Sequence, residues 1–394
     1  MIDPLRRQYQ RFPYPPIPAL ALPRYHAEFS PQIRFEWATE RAYQTKRSHY
    51  GISILVIGAG TLEALVVAQA HPGAAKVVAL DFSSHSLRLL RRRSRWARLT
   101  RFLGTPQHAR LETVCEDFWN FEPKEKFDFI LASNVLHHLS DPAQAPSRFA
   151  HWLKPGGIVR VVTYPKQSRH FMRETSRYLR TSLGLSNSEG DRYPRDLIRQ
   201  ARRAIRSLPP DHPVRSCFES QPETRTRAGL IDAFLNAREN PLSPIEWRDA
   251  FSHAGLELFI ETQTDTSRSK FVDELLPGRN GLSKLDAWDR LQILDDTLEL
   301  CANPVLWLKK SSEPQSMQPT NAANTPGLTT RAPQSFEFSS AEIHEGAERA
   351  RTLLARADIR LEDYLAALRA EVGPRVTAPP EERPLPGLSL LDWM

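Results

Sequence analysis

A strand that runs directly into a glycine turn constrains the fold of this chain more than any other feature. Residues 52–57 are apolar apart from one serine, and Gly58 and Gly60 follow them. A second apolar run, 77–80, ends in Asp81. Short apolar runs of this kind predict buried parallel strands, and glycine lets the backbone approach a ligand at the electropositive start of the next helix. An acid that ends the second strand is placed to accept hydrogen bonds from the ribose of a nucleoside cofactor.

Two nucleoside cofactors fit this turn, a nicotinamide dinucleotide and S-adenosylmethionine. A dinucleotide site favours the pattern G-x-G-x-x-G/A, and its last small residue falls on Glu63 when the count begins at Gly58. A glutamate is large and repels a pyrophosphate. S-adenosylmethionine carries a sulfonium, an ammonium and a carboxylate but no phosphate, so an acid at this place is compatible with it and can help bind the cations. Glu63 therefore favours S-adenosylmethionine, and an NAD(P)-dependent oxidoreductase remains the alternative.

Later segments continue the alternation of strands and helices. The remaining strands are predicted at 111–114, 127–132, 158–164, 256–260 and 304–309. Asp117 and Phe118 follow the first of these, and an acid next to an aromatic ring suits an adenine pocket. Asn134 follows the second of them. The pattern predicts an α/β fold with a doubly wound, mostly parallel sheet that binds ligands at its carboxyl edge.

Residues 51–164 resemble a class I S-adenosylmethionine-dependent methyltransferase. The resemblance implies a seven-stranded, Rossmann-like sheet and S-adenosylmethionine as the cofactor. The motifs that carry it are Gly58-Ala59-Gly60-Thr61, Asp81, Glu116-Asp117-Phe118, Phe127-Asp128, Asn134-Val135-Leu136-His137-His138-Leu139 and Leu153-Lys154-Pro155-Gly156-Gly157.

The resemblance also assigns roles to particular residues. It implies that Gly58 and Gly60 approach the methionine part of the cofactor, and that Asp81 binds the ribose. Asp117 and Phe118 would meet the adenine, and Asn134 the methionine end. The chain departs from the usual pattern at Val56, a position that is often acidic, and at Leu62, where a third glycine is usual.

The flanking segments resemble a narrower group. Tyr9 and residues 11–16, Arg-Phe-Pro-Tyr-Pro-Pro, are similar to the Tyr-Pro-Tyr-Pro segment of a bacterial group of these enzymes. In that group a tyrosine, here Tyr164, ends the fifth strand and a helical insertion follows. A proline-rich arm cannot join a helix, so it is expected to lie extended across the domain and to cover the cofactor.

Methyl transfer is an in-line displacement, so an enzyme of this kind positions the acceptor and in some cases removes its proton. The candidates at the carboxyl edge are His137, His138 and Tyr164. A histidine titrates near neutral pH and can serve as the base, whereas a packing or capping role is the alternative for each. No metal site is predicted, because Cys115, Cys217 and Cys301 show no metal-ligand spacing.

Arginine is concentrated in two segments of this basic chain, whose formal net charge is +7. The predicted insertion carries arginines throughout 169–206, which indicates either an acidic acceptor or a solvated helix face. Those at 88–101 follow the second strand with few aromatic residues among them, which counts against nucleic-acid binding there and favours a solvated face. The acceptor, a small molecule or a protein, is not identified by the sequence.

The composition changes after Lys310. Residues 311–333 are rich in Ser, Pro, Thr, Asn and Gln, which is typical of a linker. Apolar residues then recur at helical spacing from Ile343 to Val372, and this stripe needs a partner surface, either the core of the same chain or another protein or copy. The stripe and the departures at Val56 and Leu62 make a non-catalytic S-adenosylmethionine-binding or scaffold protein an alternative to an enzyme.

The predicted organisation therefore has six parts. In order they are an N-terminal proline-rich arm at 1–50, a cofactor-binding core at 51–164, a helical insertion that forms a substrate cap at 165–242, the rest of the core at 243–310, a linker at 311–338, and a C-terminal helix and tail at 339–394. No apolar run reaches the length of a membrane span, and the scattered cysteines indicate a reducing cytoplasm.

Overall fold

A seven-stranded sheet organises the chain. The computed structural model describes residues 3–22, 33–185, 193–261, 282–298, 303–311 and 340–367. The strands are β1 (Ser53–Ile57), β2 (Lys76–Asp81), β3 (Leu111–Cys115), β4 (Phe127–Ser133), β5 (Leu153–Val162), β6 (Leu256–Glu261) and β7 (Val305–Lys310). They lie in the order β3-β2-β1-β4-β5-β7-β6, with β7 antiparallel to both neighbours and the other paired strands parallel. This confirms the predicted fold class.

Twelve helices with defined bounds accompany the sheet within the described residues. They are α1 (Pro4–Arg11), α2 (Phe35–Tyr43), α3 (Glu63–Ala70), α4 (Ser84–Leu99), α5 (Ala145–Trp152), α6 (His170–Leu183), α7 (Leu197–Arg206), α8 (Pro213–Ser220), α9 (Arg227–Phe234), α10 (Pro244–His253), α11 (Ala287–Asp296) and α12 (Ser340–Ala355). None of the helices in these segments is long and apolar enough to cross a membrane.

Side chains of β1 show why the sheet is buried on both faces. Successive residues of a strand point to opposite sides, so Ile54 and Val56 join one apolar cluster, whereas Leu55 and Ile57 join another. Helices α2, α3 and α4 cover the first face, and α5, α10 and α11 cover the second. A strand covered on both faces needs apolar residues on both, which explains the apolar run 54–57 that marks β1 in the sequence.

The N-terminal arm is only partly extended, so that expectation was wrong in part. Pro4 occupies the first turn of α1, where its missing N–H is not needed, and the Asp3 carboxylate accepts a hydrogen bond from the backbone N–H of Leu5 at 2.9 Å. The other prolines lie beyond the helix, and the chain from Pro13 to Pro18 is non-helical. Proline therefore excludes helix only where it falls inside one.

The insertion is a small helical unit with its own core. Helices α6 to α9 bury Leu179, Ile205, Phe218 and Phe234 among other apolar side chains. The partner of the C-terminal stripe is also within the chain, since Leu354 and Ala350 pack against Ile293 of α11. The alternative of an external partner is therefore not needed for the described part of this helix. The predicted linker and tail fall mostly in 312–339 and 368–394, outside the described residues.

Ion pairs reinforce the contact of α12 with α11. The Arg349 guanidinium donates to both carboxylate oxygens of Asp296, at 2.9 and 2.6 Å. Arg356 lies 2.7 Å from the buried carboxylate of Asp289. The Asp295 carboxylate, on the residue before Asp296, accepts hydrogen bonds from the backbone N–H groups of residues 166–168, at 2.8–3.0 Å. The C-terminal helix thus supports the segment through which β5 enters the insertion.

Candidate functional site

A cavity of about 910 Å³ lies at the carboxyl ends of the parallel strands. Its floor contains the turn between β1 and α3 and the residues that follow β2, β3 and β4. Tyr9, Tyr14 and Pro15 of the N-terminal arm form one wall, and residues of α6, α8 and α9 form another. The sheet edge, the arm and the insertion therefore enclose one space, although they are distant in the sequence.

Both glycines of the turn have left-handed backbone geometry, with φ of 63° at Gly58 and 54° at Gly60. A Cβ atom on Gly58 would lie 2.6 Å from a methyl group of Val135, and one on Gly60 would lie 2.7 Å from the carbonyl oxygen of Tyr14. These positions require glycine for its φ and for the close approach of neighbouring chain. The same Tyr14 carbonyl accepts a hydrogen bond from the backbone N–H of Thr61 at 3.1 Å, which fixes the arm on the turn.

Asp81 lies at the end of β2 and lines the cavity. Its carboxylate accepts hydrogen bonds from the backbone N–H groups of Gly60, at 2.8 Å, and Ser83, at 2.7 Å. Burial raises the pKa of this carboxyl to about 6, and the two backbone donors oppose the shift. The hydrogen bonds from Gly60 and Ser83 therefore hold the Asp81 carboxylate beside the glycine turn.

The other predicted cofactor residues also reach this cavity. Asp117 accepts a hydrogen bond from the backbone N–H of Trp119 at 2.9 Å, and Phe118 meets the Trp119 ring edge-on with centroids 4.8 Å apart. Asn134 has a left-handed φ of 53°, and its side-chain oxygen accepts from the Asn303 amide at 3.0 Å. The structure thus brings Gly58, Gly60, Asp81, Asp117, Phe118 and Asn134 to one space.

Glu63 lies at the first position of α3 and faces the same cavity. Its carboxylate accepts a hydrogen bond from the Ser133 hydroxyl at 2.6 Å. Burial raises the pKa of Glu63, while Ser133 and the positive charge of Arg160 lower it. A carboxylate is therefore present at this end of the cavity, even though Val56 of β1 is not acidic.

The three candidate catalytic residues lie together but not equivalently. His138 and Tyr164 line the cavity, whereas His137 is fully buried behind Tyr164, with the rings stacked at a centroid distance of 3.5 Å. Neither ring nitrogen of His137 has a hydrogen-bond partner within the described segments. Burial lowers the pKa of His137 well below its usual range, so its ring is neutral. These features favour a packing role for His137.

A polar cluster beside His138 was missed in the sequence. The Tyr9 hydroxyl donates to the Asp232 carboxylate at 2.6 Å and lies 3.3 Å from Nε2 of His138, while the Asn236 amide donates to the Tyr9 oxygen at 3.0 Å. Nδ1 of His138 lies 2.7 Å from the Arg238 carbonyl oxygen, so Nδ1 carries the proton and Nε2 is an acceptor. The sequence associates Tyr9 only with the Tyr-Pro-Tyr-Pro resemblance and gives no indication of its contact with Asp232.

Burial dominates the titration of this cluster. It raises the pKa of Asp232 to about 7, although the Tyr9 hydrogen bond and the charge of Arg169 lower it. It also lowers the pKa of His138 to about 4. The Arg169 guanidinium lies 3.6 Å above the centre of the Tyr164 ring and pairs with Glu239 at 3.1 Å. No sequence pattern around Asp232 indicates a functional role, because this residue lies on α9 and meets Tyr9 only in the folded chain.

Comparisons with known proteins agree with this geometry. Residues 55–159 match the family model described as a methyltransferase domain. A mitochondrial ubiquinone biosynthesis O-methyltransferase of Dictyostelium discoideum is 26% identical over 117 residues, 29% of this chain and 36% of the relative. The corresponding enzyme of Bradyrhizobium sp. strain ORS 278 is 33% identical over 64 residues, 16% of this chain and 25% of the relative. The chain thus matches about a third or less of each relative's length.

Two solved structures share the overall fold. PKMT2 from Rickettsia typhi has a TM-score of 0.52 at 14% identity, covering 75% of this chain and 56% of that chain. The same protein in complex with AdoHcy has a TM-score of 0.50 at 13% identity, covering 86% and 72%. Likeness at such low identity shows the fold alone.

The fold and the family match define residues 55–159 as a methyltransferase domain of the class I, S-adenosylmethionine-dependent type. S-adenosylmethionine is the cofactor of this domain type, in agreement with the preference inferred from Glu63, and the nicotinamide alternative is disfavoured.

Proposed function

We propose that the whole chain transfers a methyl group from S-adenosylmethionine to an acceptor that enters between the sheet edge, the arm and the insertion. The observation that carries this proposal is the single cavity that joins the sheet edge, at Gly58 and Asp81, to the polar cluster at Tyr9 and Asp232. One side of the space suits the cofactor and the other suits an acceptor. The insertion at 165–242 then serves as the substrate cap.

The cofactor side fits S-adenosylmethionine on the chemistry of its residues. We infer that Gly58, Gly60 and Asn134 hold the methionine part, Asp81 the ribose, and Asp117 with Phe118 the adenine. Glu63 supplies the negative charge that Val56 lacks, and we assign it to the ammonium group. When bound, S-adenosylmethionine supplies an electrophilic methyl group on a sulfonium. The residues of the chain exclude water around it and present the acceptor.

On the acceptor side, Asp232 is the group best suited to receive a proton. Its pKa of about 7 leaves a substantial fraction ionised at neutral pH, whereas the pKa of His138, about 4, makes that histidine a poor base. The acceptor proton passes to the Tyr9 oxygen as the Tyr9 hydrogen passes to Asp232. The protonated carboxyl then donates back to Tyr9, whose hydroxyl hydrogen turns to Nε2 of His138.

The candidate catalytic residues take distinct parts in this scheme. His138 accepts a hydrogen bond from the reoriented Tyr9 hydroxyl through its Nε2 atom, and Tyr164 forms the cavity wall next to His138. His137 holds the Tyr164 ring in place by stacking, so its predicted role becomes positioning. Because Arg169 covers the Tyr164 ring at 3.6 Å, the orientation of this wall depends on the insertion as well as on β5.

Calorimetric titration tests the cofactor side. S-adenosylmethionine or AdoHcy is expected to bind with one-site stoichiometry and NADH to give no heat. Asp81→Asn should weaken that binding about 10–100-fold, since a carboxylate accepting hydroxyl hydrogen bonds contributes roughly 1.5–3 kcal/mol. Asp249→Asn, an exposed carboxylate on α10, is the matched control and should bind as the wild type does. Tight NADH binding without a response to S-adenosylmethionine would overturn the assignment.

Turnover separates an enzyme from a binding protein. S-adenosylmethionine labelled in its methyl group is incubated with the full chain and a size-fractionated cell extract. We expect label in a fraction that is not labelled when Asp232→Asn replaces the wild type. Intact cofactor binding with no label in any fraction would favour the non-catalytic scaffold instead.

We also propose membership of the bacterial group with the Tyr-Pro-Tyr-Pro segment. Its support is the position of Tyr14, whose carbonyl accepts from Thr61 at the glycine turn, and of Tyr9 in the acceptor-side cluster. A segment that contacts both sides of the cavity has a direct use in catalysis. The cytoplasmic location indicated by the cysteines stays a prediction.

A further inference from the structure

Helix α7 presents a continuous arginine face to solvent. Its buried side consists of Leu197, Ala201 and Ile205, which pack in the core of the insertion. The charged residues recur at helical spacing on the opposite side, because positions three and four apart lie on one face. The exposed arginines on and just before this helix are Arg195, Arg199, Arg202, Arg203 and Arg206.

These arginines line a groove of about 800 Å³. Arg227 of α9 completes its far side, held by hydrogen bonds to the carbonyl oxygens of Tyr193 and Arg195 at 2.9 and 2.8 Å. Asp196 is the acid in the described lining, and it is paired with Arg199 at 2.5 Å. The remaining positive charge of the groove is thus available to a ligand.

Three of the arginines are uncommitted. Arg202, Arg203 and Arg206 form neither a hydrogen bond nor an ion pair through their side chains with any residue in the described ranges. Exposed guanidinium groups brought together repel one another, and an anionic ligand relieves this repulsion. Their planar donor forks match the geometry of carboxylates.

The groove is connected to the proposed acceptor side by shared walls. A smaller cavity of about 290 Å³ is lined by Arg202 and Arg206, which also line the groove, and by Arg225. The smaller cavity shares Ser220 and Gln221 with the large cavity at the sheet edge. A chain-like ligand that lies along the groove can therefore continue towards Tyr9 and Asp232 without leaving the surface of the insertion.

We propose that this groove binds an acidic polypeptide segment of the methyl acceptor and delivers a neighbouring residue of that segment to the large cavity. The proposal rests on the proposed function and names the acceptor class for it, an acidic protein or peptide. Nucleic acid is the less favoured polyanion, because the described lining of the groove contains no aromatic ring on which bases could stack. The arginines of α4 line none of the three cavities, whereas the arginines of α7 line two that lead to the site through shared lining residues.

Fluorescence anisotropy with a labelled polyglutamate peptide tests the groove directly. The full chain is expected to bind the peptide saturably, and the affinity should fall as salt rises, because exposed charge pairs are screened. The triple variant Arg202→Ala/Arg203→Ala/Arg206→Ala should bind about tenfold more weakly, at roughly 0.5 kcal/mol for each exposed pair.

The matched control removes the same charge elsewhere. The triple variant Arg88→Ala/Arg92→Ala/Arg95→Ala alters exposed arginines of α4, outside all three cavities, and should bind the peptide within about twofold of the wild type. Equal loss in both triple variants, or no saturable binding by the wild type, overturns the proposal. Preference for a labelled single-stranded oligonucleotide over the peptide, lost only in the α7 variant, also overturns it in favour of nucleic acid.

A second measurement separates this proposal from the proposed function. S-adenosylmethionine affinity, measured by calorimetry, should be unchanged in the α7 triple variant, because none of its three residues lines the large cavity. Peptide binding that depends on α7 in a chain that fails to bind S-adenosylmethionine would refute the methyltransferase function alone. Normal cofactor binding with α7-independent peptide binding would refute the groove alone.

Discussion

Replacing Asp232 with asparagine separates what this carboxyl costs in stability from what it contributes to catalysis. The residue is 8% exposed, and burial raises its pKa from 3.8 to about 7. An acid whose pKa is higher in the folded state binds its proton more tightly there than in the unfolded chain. Its contribution to folding is therefore most favourable below about pH 4, and stability falls as pH rises from about 4 through about 7.

The size of the effect follows from the same two values. A tenfold difference in proton affinity corresponds to about 1.4 kcal/mol, so a pKa change from 3.8 to about 7 corresponds to about 4 kcal/mol. Asparagine has nearly the same shape and its side-chain oxygen can accept the Tyr9 hydrogen bond, but it carries no charge. We expect Asp232→Asn to gain about 4 kcal/mol relative to the wild type between pH 4 and pH 8. Its methyl transfer should fall about a hundredfold or more.

Urea unfolding between pH 4 and pH 8 measures this gain in the wild type, Asp232→Asn and Asp249→Asn. The raised pKa of Asp81 contributes the same pH dependence to all three proteins, so the difference between wild type and variant isolates Asp232. Asp249→Asn, at an exposed carboxylate, is the control for the loss of one formal charge. If the stability difference between Asp232→Asn and the wild type does not grow with pH, the inferred burial of an acid beside Tyr9 is refuted.

Two further substitutions test the packing that shapes the site. Leu354→Ala should lower the free energy of unfolding by about 2–5 kcal/mol in urea titrations, because Leu354 is fully buried between α12 and α11. The control Thr352→Ala, at an exposed position of the same helix, should change it little. Equal effects of the two substitutions would contradict this packing. Gly60→Ala should weaken S-adenosylmethionine binding by about tenfold in calorimetry and expose the arm to protease, because its Cβ would lie 2.7 Å from the Tyr14 carbonyl. Gly104→Ala has a comparable φ of 87° but no atom within 4 Å, so it should leave both readouts unchanged if the collision is the cause.

The sheet was predictable because its signal is local. The central strands, such as β1, are short runs covered on both faces by helices, so apolar residues such as Leu55 and Val56 occur consecutively rather than alternately. The structure places the start of β5 at Leu153, earlier than expected, because the strand includes an irregular stretch with Gly156 and Gly157 between the pair of Leu153 with Phe127 and the pair of Ile158 with Phe129. The role of each site residue stays a prediction, although all six cofactor candidates reach one cavity.

The acceptor side was not predictable to the same degree. Tyr9 and Asp232 are separated by 223 positions, and no periodicity or spacing rule relates residues so far apart. Burial, not residue type, makes Asp232 a better base than His138 at neutral pH, and the sequence does not show how deeply either lies. The same limit applied to the C-terminal stripe, whose partner surface on α11 comes from a different part of the chain.

The sequence by itself determined the strand that enters Gly58, the acid at Asp81 and the preference of Glu63 for a methyl donor over a dinucleotide. These follow from backbone geometry and charge within a few residues, which neighbours in the chain decide. Only the tertiary structure decided that the arm contacts the glycine turn, that Asp232 reaches Tyr9 and that the arginine groove adjoins the cavity. Such contacts depend on how helices pack over the sheet edge, and packing joins residues that the order of the chain leaves far apart.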